Sequence, residues 1–257
     1  MIIFDEKAYA EIILKKGIQN NIHRLYDLQL VAAYLYQAGC GDIEIEQRLH
    51  AMCKRKMKGY SRVKFYPIID KIIRKSKNMK FKTSNEIKIT KSEIDTVLSE
   101  KDKKIKKLLF VYLVLAKYYM NNNNTDKYYV STSDVDIFKL ARITGKRKSE
   151  QGELLHYMTK KGYITPTLNM SSIVNFVDEN DEVVMTFKPD IDMIYYLEQY
   201  LGGSFIKCII CGRLEKKGSN SAKYCKACAR ERDSKRIKVR SQIQKPEIEN
   251  ALNKLID

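Results

Sequence analysis

The chain has 257 residues, 48 of them Lys or Arg against 31 Asp or Glu, which gives a formal charge of +17. Apolar residues make up 44% and aromatics 10%, enough to bury a core, so a disordered polyelectrolyte is excluded. The first residues, MIIFDEKAYAEIILKKG, carry acids and no cleavage pattern, so a secretory leader is not expected and a cytoplasmic location in a bacterial host cell is.

Residues 1–100 read as a basic helical domain. DLQLVAAYLYQAG places Leu28, Val31, Ala32 and Leu35 at helical spacing, with Gly39 or Gly41 as the stop. DIEIEQRLHAMCKRK follows with Ile43, Ile45, Leu49 and Met52; after a break at Gly59, SRVKFYPIIDKIIRKSK resumes with Ile68, Ile69, Ile72 and Ile73. Cys40 and Cys53 stand alone here and read as buried thiols. Residues 1–47 are slightly acidic, whereas 48–82 carry thirteen Lys/Arg against one Asp. Such clustering favours a polyanion, because each phosphate neutralised releases a counterion. Candidate contacts in this block are Lys54, Arg55, Lys56, Lys58, Arg62 and Lys64. Its aromatics, Tyr60, Phe65, Tyr66 and Phe81, suit stacking with single strands, or belong to the core. Thr90-Lys-Ser-Glu93 is a capping box that opens the next helix.

Residues 101–190 read as a winged helix-turn-helix domain. A long helix over 102–120 contains LLFVYLVLA at 108–116, about half the length of a membrane span. NNNNTD is a loop and YYV at 128–130 a short strand. STSDVDIFKLARI is a helix capped by Ser133, with Asp134 and Asp136 in its first turn. After the turn TGKRK, SEQGELLHYMTKKG is the second helix of the pair, with Leu154, Leu155 and Met158 inward and Gly162 as its stop. YITPTLNMSSIVNFV and EVVMTF then read as two strands joined by the acidic turn DENDE. In this fold the second helix enters the major groove, so Lys146, Arg147, Lys148, Ser149 and Gln151 become candidate base or phosphate contacts. Against this, the wing tip at 178–182 is acidic, Gly152 weakens the helix by up to about 1 kcal/mol, and many winged helices dock proteins instead. Residues 191–204 read as a linker with a hinge at Gly202 and Gly203.

The segment 205–245 carries the most specific signal. Cys208 and Cys211 form a C-x2-C pair followed by Gly212, and after thirteen residues Cys225 and Cys228 form a second. Two such pairs can close a tetrahedron of thiolates around one structural Zn2+, with no position left open for substrate. Paired disulfides fit a cytoplasmic chain poorly. A knuckle, a hairpin and a second pair at a helix start resemble a treble-clef zinc finger. So few apolar residues cannot fold alone, so metal binding supplies the folding free energy. The basic helix that follows offers Arg230, Arg232, Lys235, Arg236, Lys238 and Arg240 to phosphates, or to the acidic face of a protein. Residues 246–257 read as a tail.

No catalytic constellation is evident. GKRKS at 145–149 lacks the first half of a P-loop, and neither H-E-x-x-H nor G-x-S-x-G occurs. The pairs Asp134/Asp136 and Asp190/Asp192 mimic metal-binding carboxylates, although the first is explained by helix starting. Through DLQLVAAYLYQAG, STSDVDIFKLARI, FVDENDEVV and FIKCIICGRL…YCKAC, the chain resembles a group of phage and prophage proteins of low-GC Gram-positive bacteria. That resemblance implies a phage-encoded protein and names no mechanism. The N-terminal helices are also similar to the helical domain attached to some replicative primases, without a primase motif beside them. The expectation is therefore a mainly α chain with small β elements, whose function is non-enzymatic binding of DNA in gene control or replication. Two alternatives stand beside it: a protein that inhibits or redirects a host nucleic-acid machine, such as RNA polymerase or a defence nuclease, and binding of RNA or single strands. A membrane is not an expected partner, since neither basic block forms a long amphipathic helix.

Overall fold

The structure, a computed structural model, describes residues 2–18, 24–123, 125–219 and 221–237, the side chain of Arg24 excepted. The candidate contacts Lys238 and Arg240 and the 246–257 tail lie outside the described residues. The described residues are mainly helical, with three small sheets.

Four helices come first: α1 (Glu6–Lys16), α2 (Arg24–Gln37), α3 (Asp42–Lys56) and α4 (Arg62–Ser76). They close over one core in which Ile13, Leu28, Val31, Ala32, Leu35, Ile45, Leu49, Cys53, Ile69, Ile72 and Ile73 are buried. Helices of this length are marginal alone and gain stability chiefly by packing: α1, α3 and α4 bury one face, whereas α2 is buried or half-buried along most of its length. Burial pushes the Cys53 thiol up to about 11, so it is unreactive packing; Cys40 is only half-buried. Two residues of the expected stripes are not in it: Ile43 is exposed at the start of α3, and Ile68 sits at the surface of α4.

The second core is built around α6 (Lys103–Asn123). From Leu108 through Tyr119 every residue of this helix is buried, as is usual for a helix apolar on all sides at the centre of a protein. Around it pack β1 (Ile87–Thr90), α5 (Lys91–Ser99), β2 (Tyr129–Val130), α7 (Asp134–Leu140), α8 (Lys148–Lys160), β3 (Ile164–Pro166), β4 (Ser172–Val174), β5 (Val183–Phe187) and α9 (Ile194–Tyr200). Among the described residues the one buried lysine, Lys117, lies 2.8 Å from the buried carboxylate of Glu93 and donates to Lys88 O at 2.7 Å. Glu93 is also the capping-box residue of α5 and accepts from the backbone N–H of Thr90 and Asp178, both at 2.9 Å. A buried ion pair persists when hydrogen bonds satisfy its remaining lone pairs, as here.

Three expectations are corrected. First, the strands flanking DENDE are not one hairpin: β4 lies between β2 and β3, and β5 instead pairs antiparallel with β1, Ile87 opposite Phe187. The hairpin is β3–β4, and residues 167–171 form its tip. The acidic turn belongs to α5, whose free N–H groups it satisfies: Ser92 N donates to Asp181 Oδ2 at 2.6 Å, and Lys91 N donates to Glu182 O at 2.8 Å. Second, β1 and α5 share the core of α6 and not that of α1–α4, so the expected boundary at 100/101 cuts through a packed unit. Third, the expected linker 191–204 contains α9, which buries Ile194, Tyr195 and Leu197.

Candidate metal centre and basic surfaces

Beyond α9, β6 (Phe205–Lys207) and β7 (Leu214–Lys216) form an antiparallel hairpin, and the first cysteine pair lies in the turn between them. Cys208 N donates to Arg213 O at 2.9 Å and Gly212 N donates to Cys208 O at 2.8 Å. Gly212 has φ +69°, a conformation that side-chain-bearing residues adopt at a cost. The second pair starts the helix at 226–237, here α10. Lys226 N donates to Glu215 Oε2 at 2.9 Å, so a carboxylate from β7 caps α10, and Ala229 N donates to Cys225 O at 2.9 Å.

The four Sγ atoms of Cys208, Cys211, Cys225 and Cys228 all lie within 4.8 Å of one another. Cys211 Sγ and Cys225 Sγ are 3.7 Å apart. Four thiolates held about 2.3 Å from a tetrahedral ion stand about 3.8 Å from each other, whereas a disulfide needs about 2.05 Å. The cluster therefore fits a metal ion. Burial pushes the Cys208 thiol up, but backbone hydrogen bonds from Cys225, Cys211 and Ile210 outweigh it and bring it down to about 6. Hydrogen bonds shared with Cys225 and Cys211 push Cys228 up to about 12. Four adjacent thiols cannot all ionise without a cation between them.

The hairpin is docked on the second core. Leu214 is buried in it, and the rings of Tyr195 and Phe205 lie 5.1 Å apart. Glu198 of α9 joins Lys107 of α6 to Lys216 of β7, each at 2.9 Å. Gly202 and Gly203 form the stop of α9 and not a free hinge: Gly203 N donates to Glu198 O at 2.9 Å, and a Cβ there would lie 2.7 Å from the same oxygen. Asp190 and Asp192 face Arg213 and Arg142 and are structural carboxylates. Burial raises the pKa of Asp190. Asp136 accepts a hydrogen bond from Ser133 Oγ and follows the N-cap, as its position suggests.

Compared with protein-family models, curated proteins and solved structures, the chain finds no match.

The expected basic contacts divide by exposure. At the start of α8, Arg147, Lys148 and Ser149 are exposed, but Lys146 lies 2.6 Å from Glu150 and the half-buried Gln151 donates to Lys146 O at 3.3 Å. Lys146 lines an open cleft of about 880 Å3 between the start of α6 and α8, where Tyr157 and Tyr163 both donate to Glu100. The outward flank of α8 is Ser149, Gly152, His156 and Lys160. On α10, Arg230, Arg232, Lys235 and Arg236 are all exposed; Lys235 pairs with Glu231 at 3.0 Å and Arg232 lies 4.1 Å over the Tyr224 ring. Lys54, Arg55, Lys56, Lys58, Arg62 and Lys64 are exposed where α3 leads into α4, with Arg62 3.3 Å from Glu46. Sequence reasoning missed Glu215 and Glu198, the carboxylates that fasten α10 and the hairpin. A lone glutamate inside a lysine-rich segment carries no local pattern to flag it.

Proposed function

We propose that the chain is a non-enzymatic, zinc-containing DNA-binding protein acting in phage or mobile-element gene control or replication. The observation that carries this reading is the arrangement around the start of α8. The order α6, β2, α7, α8, β3, β4 with strand order β2-β4-β3 supports the winged helix-turn-helix reading, in which the second helix lies in the major groove. Arg147, Lys148 and Ser149 stand exposed at that helix's N-terminus. The hairpin tip at 167–171 contains no acid, so the repulsion expected of an acidic wing is gone. Exposed cations on α10 and at the α3–α4 corner then hold phosphate.

Zinc is the ion that best suits a thiolate-only tetrahedron in a structural role. Iron would colour the protein, so a colourless preparation with one zinc per chain is the expected result, and the visible spectrum and metal content check it. The treble-clef likeness rests on the knuckle in the β6–β7 turn and on the second pair at the start of α10. A second reading, docking on a host nucleic-acid machine, draws on Ile209 and Ile210, both exposed between the first two cysteines.

Fluorescence anisotropy of the metal-loaded protein on duplex DNA at low and moderate salt tests the first reading. We expect tight binding that weakens steeply with salt. Arg147→Ala with Lys148→Ala should relax sequence preference, whereas Arg236→Ala with Arg232→Ala should weaken all duplexes alike and flatten the salt slope. Weak duplex binding at low salt, despite the charge of +17, would overturn it in favour of a protein partner.

A further inference from the structure

We propose that the outer face of α4 binds single-stranded nucleic acid, with Tyr66 as the base-stacking platform. This surface is separate from α8 and does not depend on how α8 is used. The inner face of α4 carries Ile69, Ile72 and Ile73 into the first core, with Phe65 packed against it. The solvent-facing part of the helix is unusual: Val63 is 84% exposed, Tyr66, on the flank of the buried stripe, is 53% exposed, and Pro67 is exposed beside them. Val63 and Tyr66 are three residues apart and therefore neighbours on the helix surface.

Around this apolar strip the charge is almost all positive. Lys64, Lys71 and Lys75 are exposed on α4, and Lys58 and Arg62 extend the surface toward α3. The only acid of α4, Asp70, is paired with Arg74. The structure also sorts the aromatics of the block. Tyr60 and Phe65 lie 5.2 Å apart, and Tyr60 hydrogen-bonds to the buried His50, so both are committed internally. Tyr66, by contrast, makes no ring contact and no hydrogen bond among the described residues.

The charge complements a phosphate chain, but phosphate alone gives an exposed ring and valine nothing to cover them. A duplex hides the faces of its bases, whereas a single strand presents them for stacking on aromatic side chains. An anionic membrane fits less well, because an in-plane helix inserts a whole apolar face and that of α4 is already buried in the core.

The test uses the full-length, metal-loaded protein with fluorescein-labelled oligothymidylate, a duplex of equal length, and phosphatidylcholine–phosphatidylserine vesicles. Tyr66→Ala should weaken oligothymidylate binding at least about fivefold, the loss of one stacked base, while Tyr66→Phe retains it and duplex binding is unchanged. Lys64→Ala with Lys71→Ala should weaken it too and lower the salt slope. Oligonucleotides bearing 5-iododeoxyuridine should photocrosslink at Tyr66. Equal affinity of Tyr66→Ala and the parent for the single strand would overturn the proposal. So would an equal loss on the duplex, or vesicle binding that alone depends on Tyr66. Failure of duplex binding with retained single-strand binding would defeat the α8 reading and leave this one standing.

Discussion

Cys225 combines two roles in one residue. Its buried sulfur joins the thiol cluster, and its carbonyl accepts the first hydrogen bond of α10 from Ala229. Removing the sulfur should therefore unfasten the helix along with the ion. Cys225→Ser is expected to lose the bound metal and to open 204–235 to protease, while the cores around α2 and α6 keep their unfolding transitions. Unchanged metal content with unchanged cleavage would refute a structural ion. The ligands were legible because two C-x2-C pairs are local patterns whose spacing alone restricts the geometry. The partners of other single residues were not. Nothing near Lys117 in sequence announces that it pairs with Glu93 in the core, since that pairing exists only once α5 lies against α6.

Among the elements, the long helices were legible with their stripes, whereas for the short strands only their presence was legible and their bounds and pairing were not. α2, α3 and α4 each repeat an apolar stripe over several turns, whereas β2, β3 and β4 have two or three residues apiece. A period cannot be read from so few positions. α8 carries its own test. Gly152 lies on the outward flank, and a Cβ there would meet nothing within 4 Å. Packing inside the chain gives no reason for glycine, which costs the helix up to about 1 kcal/mol relative to alanine. Gly152→Ala should raise the unfolding midpoint in urea and, where a duplex approaches this flank closely, weaken duplex binding. Higher stability with unaltered binding would remove the outer face of α8 from the interface.

For the molecule as a whole, the decisive feature is that the cysteine hairpin is fastened and not strung on a linker. Glu198 ties α6 to β7 through two lysines. Burial pushes its pKa up, but the hydrogen bonds from Lys107 and Lys216 outweigh that and hold it below the ordinary glutamate range. A carboxyl lowered on folding contributes stability that is complete above that range and is lost as pH falls through its folded value. Glu198→Gln should therefore speed hydrogen exchange across 205–216 at neutral pH. The difference from the parent should vanish on acidification below the ordinary glutamate range. A difference that persists undiminished in acid would show that the carboxylate charge is not what holds the hairpin. Among the described residues no helix is long and apolar enough to cross a membrane, and the apolar run at 108–116 is accounted for by its place at the centre of the second core.

The sequence by itself determined the mainly helical class, the helices α2 to α4, the four candidate metal ligands and the two basic blocks. All of these are written in spacing and composition over short stretches of chain. Only the tertiary structure decided that β5 leaves its sequence neighbour to pair with β1, Ile87 opposite Phe187. It also decided that the expected linker is a packed helix, that the acidic turn caps α5, and that Lys146 faces the cleft while Arg147 and Lys148 face solvent. Each of these depends on which distant surfaces meet. Burial and pairing between residues far apart are set by the whole packed core and leave no periodic trace in either partner's own segment.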